Sequence, residues 1–253
     1  MFFNNAISDI YIGTGAGKKL IKDIEYAKRS VKIVSPFLSP YLVKKLIDLH
    51  YKGIDVKLIT TDKIEDFYGD RKRNIHELIR QEVHIDGEAR YRRHKWKGIV
   101  QVLNWSVIIL FLIMLALAYR LNDYRVVWLM LPISLFFTMA RFYRSKIKHK
   151  RIYYYTYKKL FPFKVVLSEN ANGLYSPYIH SKIYIVDDEI AYLGSLNFTR
   201  GGTKSNHETR ICLSDAPAVR KVVEEFDYLM YEANISEVCV QEWGSRLYYE
   251  AVN

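Results

Sequence analysis

The chain has 253 residues, half of them hydrophobic, and carries a formal net charge of +11. That length and apolar content exclude an intrinsically disordered chain and allow one well-buried core plus one accessory element. The positive balance points to a polyanionic partner, nucleic acid or an anionic membrane face, without choosing between them. Cys212 and Cys239 make neither a disulfide framework nor a metal cluster, so a reducing compartment is the simple reading. Residues 1–5 lack the basic start and long apolar run of a signal peptide.

Taken in order, the chain first offers Gly13-Thr14-Gly15-Ala16-Gly17-Lys18-Lys19. This is not a phosphate loop. Such a loop needs Gly where Ile12 stands and Ser or Thr where Lys19 stands, and no suitable strand is predicted ahead of it. It reads as a flexible lead-in to a helix over residues 18–30, with Leu20, Ile21, Ile24 and Ala27 at helical spacing. Residues 31–34 are a buried strand ending at Ser35-Pro36. Ser39-Pro40 starts a second helix, which turns Leu42, Val43, Leu46, Ile47 and Leu49 inward and stops at Gly53. Residues 55–60 form the next strand, and the alternation of helix and strand argues for an α/β sandwich with a buried sheet. Residues 74–88 are expected to be a further helix, with Ile75, Leu78, Ile79 and Val83 as its stripe. His76 and His84 on it are too far apart for a metal pair.

The pattern then breaks. Residues 98–118 hold no charge and are long enough to cross a bilayer as a helix. A short loop over 119–125 leads to a second apolar run, 126–140, extended by Phe142 and Tyr143 while Arg141 snorkels. Pro132 is tolerable in a membrane helix. The reading is a transmembrane hairpin. Arg90, Arg92, Arg93, Lys95 and Lys97 precede it, and Arg141, Arg144, Lys146, Lys148, Lys150 and Arg151 follow it. The loop offers only Arg120 and Arg125, so the positive-inside rule places both flanks and the folded domain in the cytoplasm, on the inner membrane.

Tyr153, Tyr154, Tyr155 and Tyr157 among basic residues form an interfacial belt or an amphipathic strand; stacking on single-stranded bases is the other use of such a run. Residues 164–167 resume the sheet. Residues 175–178 shape one wall of a cleft, with Tyr178 a substrate-binding candidate. Residues 208–213 are another strand, and Asp215 caps a last helix over 216–232. Residues 1–95 and 152–253 thus join into one α/β domain interrupted by a hairpin over 96–151.

The chain is organised around residues 180–197. His180-Ser181-Lys182-Ile183-Tyr184-Ile185-Val186-Asp187 alternates as a strand, so His180 and Lys182 project together: a nucleophile or acid beside a fixed positive charge. Residues 187–189 read as a turn and 190–193 as a returning strand. The hairpin carries Gly194, Ser195 and Asn197 back towards the imidazole, where small and amide side chains can hold an oxyanion. His-x-Lys-x4-Asp followed by Gly-Ser-x-Asn resembles the signature of the phospholipase D superfamily, and Ser35-Pro36-Phe37 and Asn206-His207-Glu208 extend the likeness.

The resemblance implies a phospholipase D-like α/β sandwich with a mixed central sheet. It also implies two facing motifs per site, and this chain carries a single His-x-Lys, so it implies a homodimer with one composite site. His180 of one copy would attack phosphorus to form a phosphohistidine, and the other copy's imidazole would protonate the leaving oxygen. Lys182 and Asn197 would hold the non-bridging oxygens, with Ser195 as a further donor. Glu208 would bond the far nitrogen of His180. Asp187 and Gly194 are structural members of the motif, and His207 is expected on the surface. No metal and no cofactor is implied. A membrane-anchored nuclease acting on DNA or RNA is the first reading. A phospholipase D or cardiolipin-synthase-like phosphatidyl transferase acting on anionic phospholipid is the second. A non-enzymatic tether is a third, disfavoured by the intact set of candidate residues.

Overall fold

The computed structural model describes residues 6–62, 76–121, 123–167 and 179–252. In chain order the elements are β1 (Ser8–Thr14), α1 (Gly17–Glu25), β2 (Ser30–Val34), α2 (Pro40–Tyr51), β3 (Asp55–Thr61) and β4 (Ile79–Ile85). They continue as α3 (Gly87–Leu121), α4 (Met130–His149), β5 (Tyr153–Lys159), β6 (Phe163–Val166) and β7 (Ile183–Val186). The last are β8 (Ile190–Gly194), β9 (His207–Leu213), α5 (Ala216–Asp227) and α6 (Val240–Leu247). Residues divide into two units, Met1–Gln81 with Tyr157–Tyr248, and Glu82–Thr156 with Tyr249–Asn253.

The first unit is built on a seven-stranded sheet in the order β1-β9-β8-β7-β2-β3-β6. β2, β3 and β6 run parallel, whereas β1, β9, β8, β7 and β2 pair antiparallel, so the sheet is mixed. All five residues of β2 and all four of β7 are buried, which is why β7 is apolar throughout rather than alternating; β2 also buries Ser30 and Lys32, whose ammonium meets Asp188 at 3.1 Å. Helix α5 lays Val219, Val222 and Phe226 on the face that shows Ile183, Ile185 and Ala191. Phe226 is wholly inaccessible, and its burial contributes roughly 2 kcal/mol. Helix α1 lies over the other face, where Lys19 Nζ donates to the Tyr192 hydroxyl at 2.9 Å.

Several expectations change. The first concerns residues 79–85, which are strand β4 and not helix. The stripe Ile75, Leu78, Ile79, Val83 fits a helix, but Ile79, Gln81, Val83 and Ile85 also alternate, and β-branched side chains lose rotamer freedom in a helix. Second, a strand does precede the glycine run: β1, at the sheet edge against β9. Its side chains are mostly exposed on both faces, so it carries no burial pattern to read. Third, α1 ends at Glu25, because the Asp187 carboxylate takes the backbone N–H groups of Lys28, Arg29 and Ser30, which a longer helix would have used internally. Fourth, β7 begins at Ile183, so His180 and Lys182 precede the strand. Its neighbour β2 ends at Val34, and Pro36 just beyond has no N–H to extend a ladder. The last helix also changes character: α5 stops at Asp227 and a π-helical turn, Tyr228–Glu232, follows.

In the second unit α3 is continuous over 35 residues, about 52 Å at 1.5 Å per residue. A 3-10 turn, Tyr124–Leu129, leads into α4. The second apolar run therefore starts as a 3-10 turn and not as α-helix, since Pro132 denies an N–H to the carbonyl of Trp128 and sits where it is best tolerated, in the first turn of α4. Both helical segments are long and apolar enough to cross a membrane, and their apolar windows are almost entirely unburied. Trp105, Phe111, Leu112, Leu131 and Phe137 all face outward. Contiguous exposed apolar surface of this kind marks an interaction face.

Candidate active site

The turn between β7 and β8 and the turn after β8 do opposite work. At the first, Asp187 and Asp188 both adopt positive φ, 58° and 56°, and Val186 C=O accepts from Glu189 N at 3.0 Å. Burial pushes the Asp187 carboxyl up, but the backbone N–H donors of Lys28, Ser30 and Arg29 outweigh it and hold it below the ordinary carboxylate range. Asp187 thus fastens the start of β2 to the hairpin, at the end of β7 away from His180 and Lys182.

At the other end, Gly194 has φ 153°, and a Cβ there would lie 2.0 Å from the carbonyl oxygen of Thr209. Only glycine fits. This close approach lets Ser195 N donate to Thr209 O at 3.0 Å while Thr209 N donates to Ser195 Oγ at 3.0 Å. The Ser195 hydroxyl in turn donates to Glu208 Oε2 in a short hydrogen bond. Asn206 Nδ2 donates to Glu208 Oε1 at 3.2 Å. The β9 alternation turns Glu208 inward and leaves His207 exposed.

Lys182 Nζ lies 2.9 Å from His180 Nδ1 and 3.3 Å from its Nε2, and donates to the His180 carbonyl at 2.7 Å. His180 is exposed, whereas Lys182 is 7% exposed. Burial lowers the Lys182 pKa, and the negative charge of Glu208 partly restores it. An ammonium donating to an imidazole nitrogen needs that nitrogen unprotonated, which is the state of a nucleophile. The pair therefore presents a reactive ring at the surface with a desolvated cation beside it, where a phosphoryl oxygen would be held strongly.

The segment beyond β8 is pinned from beneath. Tyr184 Oη donates to Leu196 O at 2.6 Å, and Phe198 N donates to the buried Ser35 Oγ at 2.8 Å. Ser39 N donates to Phe198 O at 3.0 Å. Between these anchors, Asn197 Oδ1 is buried without a hydrogen-bond partner among the described residues. A polar atom left so is ready for a ligand. The structure therefore joins His180 to Lys182 directly and Ser195 to Glu208 directly, with the Glu208 charge acting on Lys182. Tyr184 is a supporting residue that pattern alone does not single out, and Asn206 and Ser35 stand in segments the resemblance covers without a stated role. Only the bonds of these three to Leu196, Glu208 and Phe198 reveal their roles. Tyr178 lies outside the described residues. No group of His, Cys, Asp and Glu fit to hold a metal occurs among the described residues.

The sandwich and its histidine–lysine pair define a class. A family model described as "Cardiolipin synthase, PLD-like domain" matches residues 20–100 and 138–230, passing over most of the apolar hairpin. The chain belongs to this family, within the phospholipase D superfamily. A stretch of 57 residues is 37% identical to the mitochondrial cardiolipin hydrolase of Canis lupus familiaris, covering 22% of this chain and 22% of that one. The chain thus matches about a fifth of the length of that curated relative. Among solved structures, NucT from Helicobacter pylori is similar with a TM-score of 0.48 and 16% identity, over 92% of this chain and 100% of that one. Nuc from Salmonella typhimurium, a phospholipase D family member, is similar with a TM-score of 0.43 and 13% identity, over 92% and 99%.

Proposed function

We propose that this chain is a membrane-anchored phosphodiesterase, a metal-independent nuclease cutting DNA or RNA in a site completed by a second copy. The observation that carries the reading is the 2.9 Å contact of the Lys182 ammonium with His180 Nδ1. The His180 ring nitrogen attacks phosphorus, forming a P–N bond as the P–O bond to the leaving group breaks. The leaving oxygen takes its proton from His180 of the partner subunit. That imidazole, now neutral, removes a proton from water; the water oxygen bonds phosphorus, and the P–N bond breaks. Two steps of moderate height replace one of very great height. The two imidazoles must differ in protonation, one free to attack and the other able to donate. Lys182 and Asn197 hold the non-bridging oxygens. Ser195 and Asn206 keep Glu208 oriented near Lys182. Tyr178 is assigned to substrate contact.

One His-x-Lys set in a chain of net charge +11 supports a dimer on a polyanion. The exposed apolar faces of α3 and α4 support an anchor in the inner membrane. The basic flanks on one side of the hairpin support a cytoplasmic catalytic unit. Those same helices favour a second reading, a phosphatidyl-transferring or hydrolysing enzyme on anionic phospholipid. The family model's description and the curated relative's name support it too.

The test is cleavage of labelled single- and double-stranded DNA and RNA in excess EDTA, beside His180→Ala. Cleavage that survives EDTA and vanishes in the variant is expected. Turnover of phosphatidylglycerol vesicles with no cleavage of any nucleic acid would replace the nuclease by the lipid enzyme. Equal cleavage by His180→Ala would remove the site.

A further inference from the structure

We propose that the cavity at the root of the helical hairpin binds the headgroup of an anionic phospholipid. The cavity has a volume of about 630 Å³. One wall is the first turns of α3, which present Arg90, Arg93, His94 and Lys97 to it; Ile152 and Tyr153 supply an apolar wall. Among the described residues no carboxylate lines it. The acids nearest in sequence are engaged elsewhere. Asp86 Oδ1 accepts from Ala89 N at 3.0 Å, and Glu88 pairs with Arg92 at 2.9 Å. Glu250 pairs with Arg151. Among the described residues the side chains of Arg90, Arg93 and Lys97 have no carboxylate partner, and the buried Arg93 Nε has no hydrogen bond. These cations line one cavity, where an anion would relieve their mutual repulsion.

Position identifies the anion. The uncharged stretch of α3 begins at Gly98, one residue after Lys97. Arg90 to Lys97 spans about 10 Å along the axis, at 1.5 Å per residue. A headgroup layer is about 5–7 Å deep on each side of the hydrocarbon core. With the apolar stretch in the bilayer, Lys97 and His94 stand at phosphate depth and Arg90 just outside. A phosphodiester meets the guanidinium groups, and glycerol carbons meet Ile152 and Tyr153. None of the residues of the His180 cluster lines this cavity. The proposal rests on the membrane-anchor reading and not on the choice of substrate.

The test uses the full chain carrying His180→Ala, so that no lipid is turned over. Detergent-solubilised protein is titrated with short-chain phosphatidylglycerol or phosphatidylcholine, and bound lipid is counted by native mass spectrometry. Phosphatidylglycerol is expected to be retained and phosphatidylcholine not. Arg90→Gln with Arg93→Gln and Lys97→Gln should weaken retention about a hundredfold, near fivefold for each cation at the membrane surface. Arg92→Gln with Lys95→Gln and Lys150→Gln removes the same charge outside the cavity and should change it little. Equal loss in both triple variants, or none in the first, overturns the proposal in favour of diffuse attraction. Displacement of the lipid by equimolar glycerol phosphate, or by a short single-stranded DNA, overturns the lipid as the source of the phosphate. Release of the wild-type chain from membranes by alkaline carbonate overturns the anchor beneath it. Nuclease failure touches none of these readings.

Discussion

Lys182 and Glu208 are set against each other: burial drives the ammonium towards neutrality, and the carboxylate opposes that drift. Glu208→Gln removes the opposing charge and keeps the shape. The Lys182 pKa then falls further below its ordinary value, and less of it is protonated at any alkaline pH. If the ammonium holds the transferring phosphoryl group, the alkaline fall of kcat moves to lower pH in Glu208→Gln. A pH–rate profile with an unmoved alkaline limb would remove Glu208 from this role.

Lys182→Met keeps the stem and deletes the buried charge. Activity should fall by about a thousandfold, as for the loss of a donor on developing charge. Stability should rise at neutral pH, by roughly 1 kcal/mol, because a desolvated cation without a full ion pair is unfavourable. The sign follows from linkage. A lysine lowered in the native state binds fewer protons there than in the unfolded chain, so the wild type gains stability as pH rises towards the ordinary lysine value. The variant's advantage should therefore shrink in thermal melts above about pH 9.

Asp187→Asn tests the hairpin anchor. Asparagine tolerates the left-handed backbone but has one acceptor oxygen and no charge, against three backbone donors. The expected loss is about 1.5–3 kcal/mol near pH 7. The wild-type carboxylate lies below its ordinary range, so its contribution is complete above about pH 5 and disappears as pH falls through the native value. Denaturant midpoints of the two proteins should converge in strong acid.

Gly194→Ala and Gly53→Ala separate two demands on glycine. Both positions have positive φ, but Gly53 faces open space while Gly194 faces the Thr209 carbonyl. Gly53→Ala should cost roughly 1 kcal/mol from backbone strain alone. Gly194→Ala must also move β9, and should cost more than about 3 kcal/mol or prevent folding. Equal midpoints for the two variants would refute the steric account.

Much of the protein is decided locally. The apolar run of β7, the Ser39-Pro40 start of α2 and the charge-free stretch of α3 declare themselves because near neighbours impose them. His180 and Lys182 are two residues apart, so their proximity needs no fold. β4 was misleading because Ile79 and Val83 satisfy both a helical and an alternating pattern, and only a partner strand, β5, chooses. β1 was silent because an exposed edge strand is specified by its ladder to β9 and not by burial. The carboxylate that opposes Lys182 stands 26 residues further along the chain, on β9. Its hydroxyl partner, Ser195, reaches it only through the close passage of Gly194 over Thr209, whereas its amide partner, Asn206, stands two residues before it. Composition and spacing determine which groups are available. Long-range backbone pairing, whose entropy cost grows with the chain between the partners, decides which of them meet.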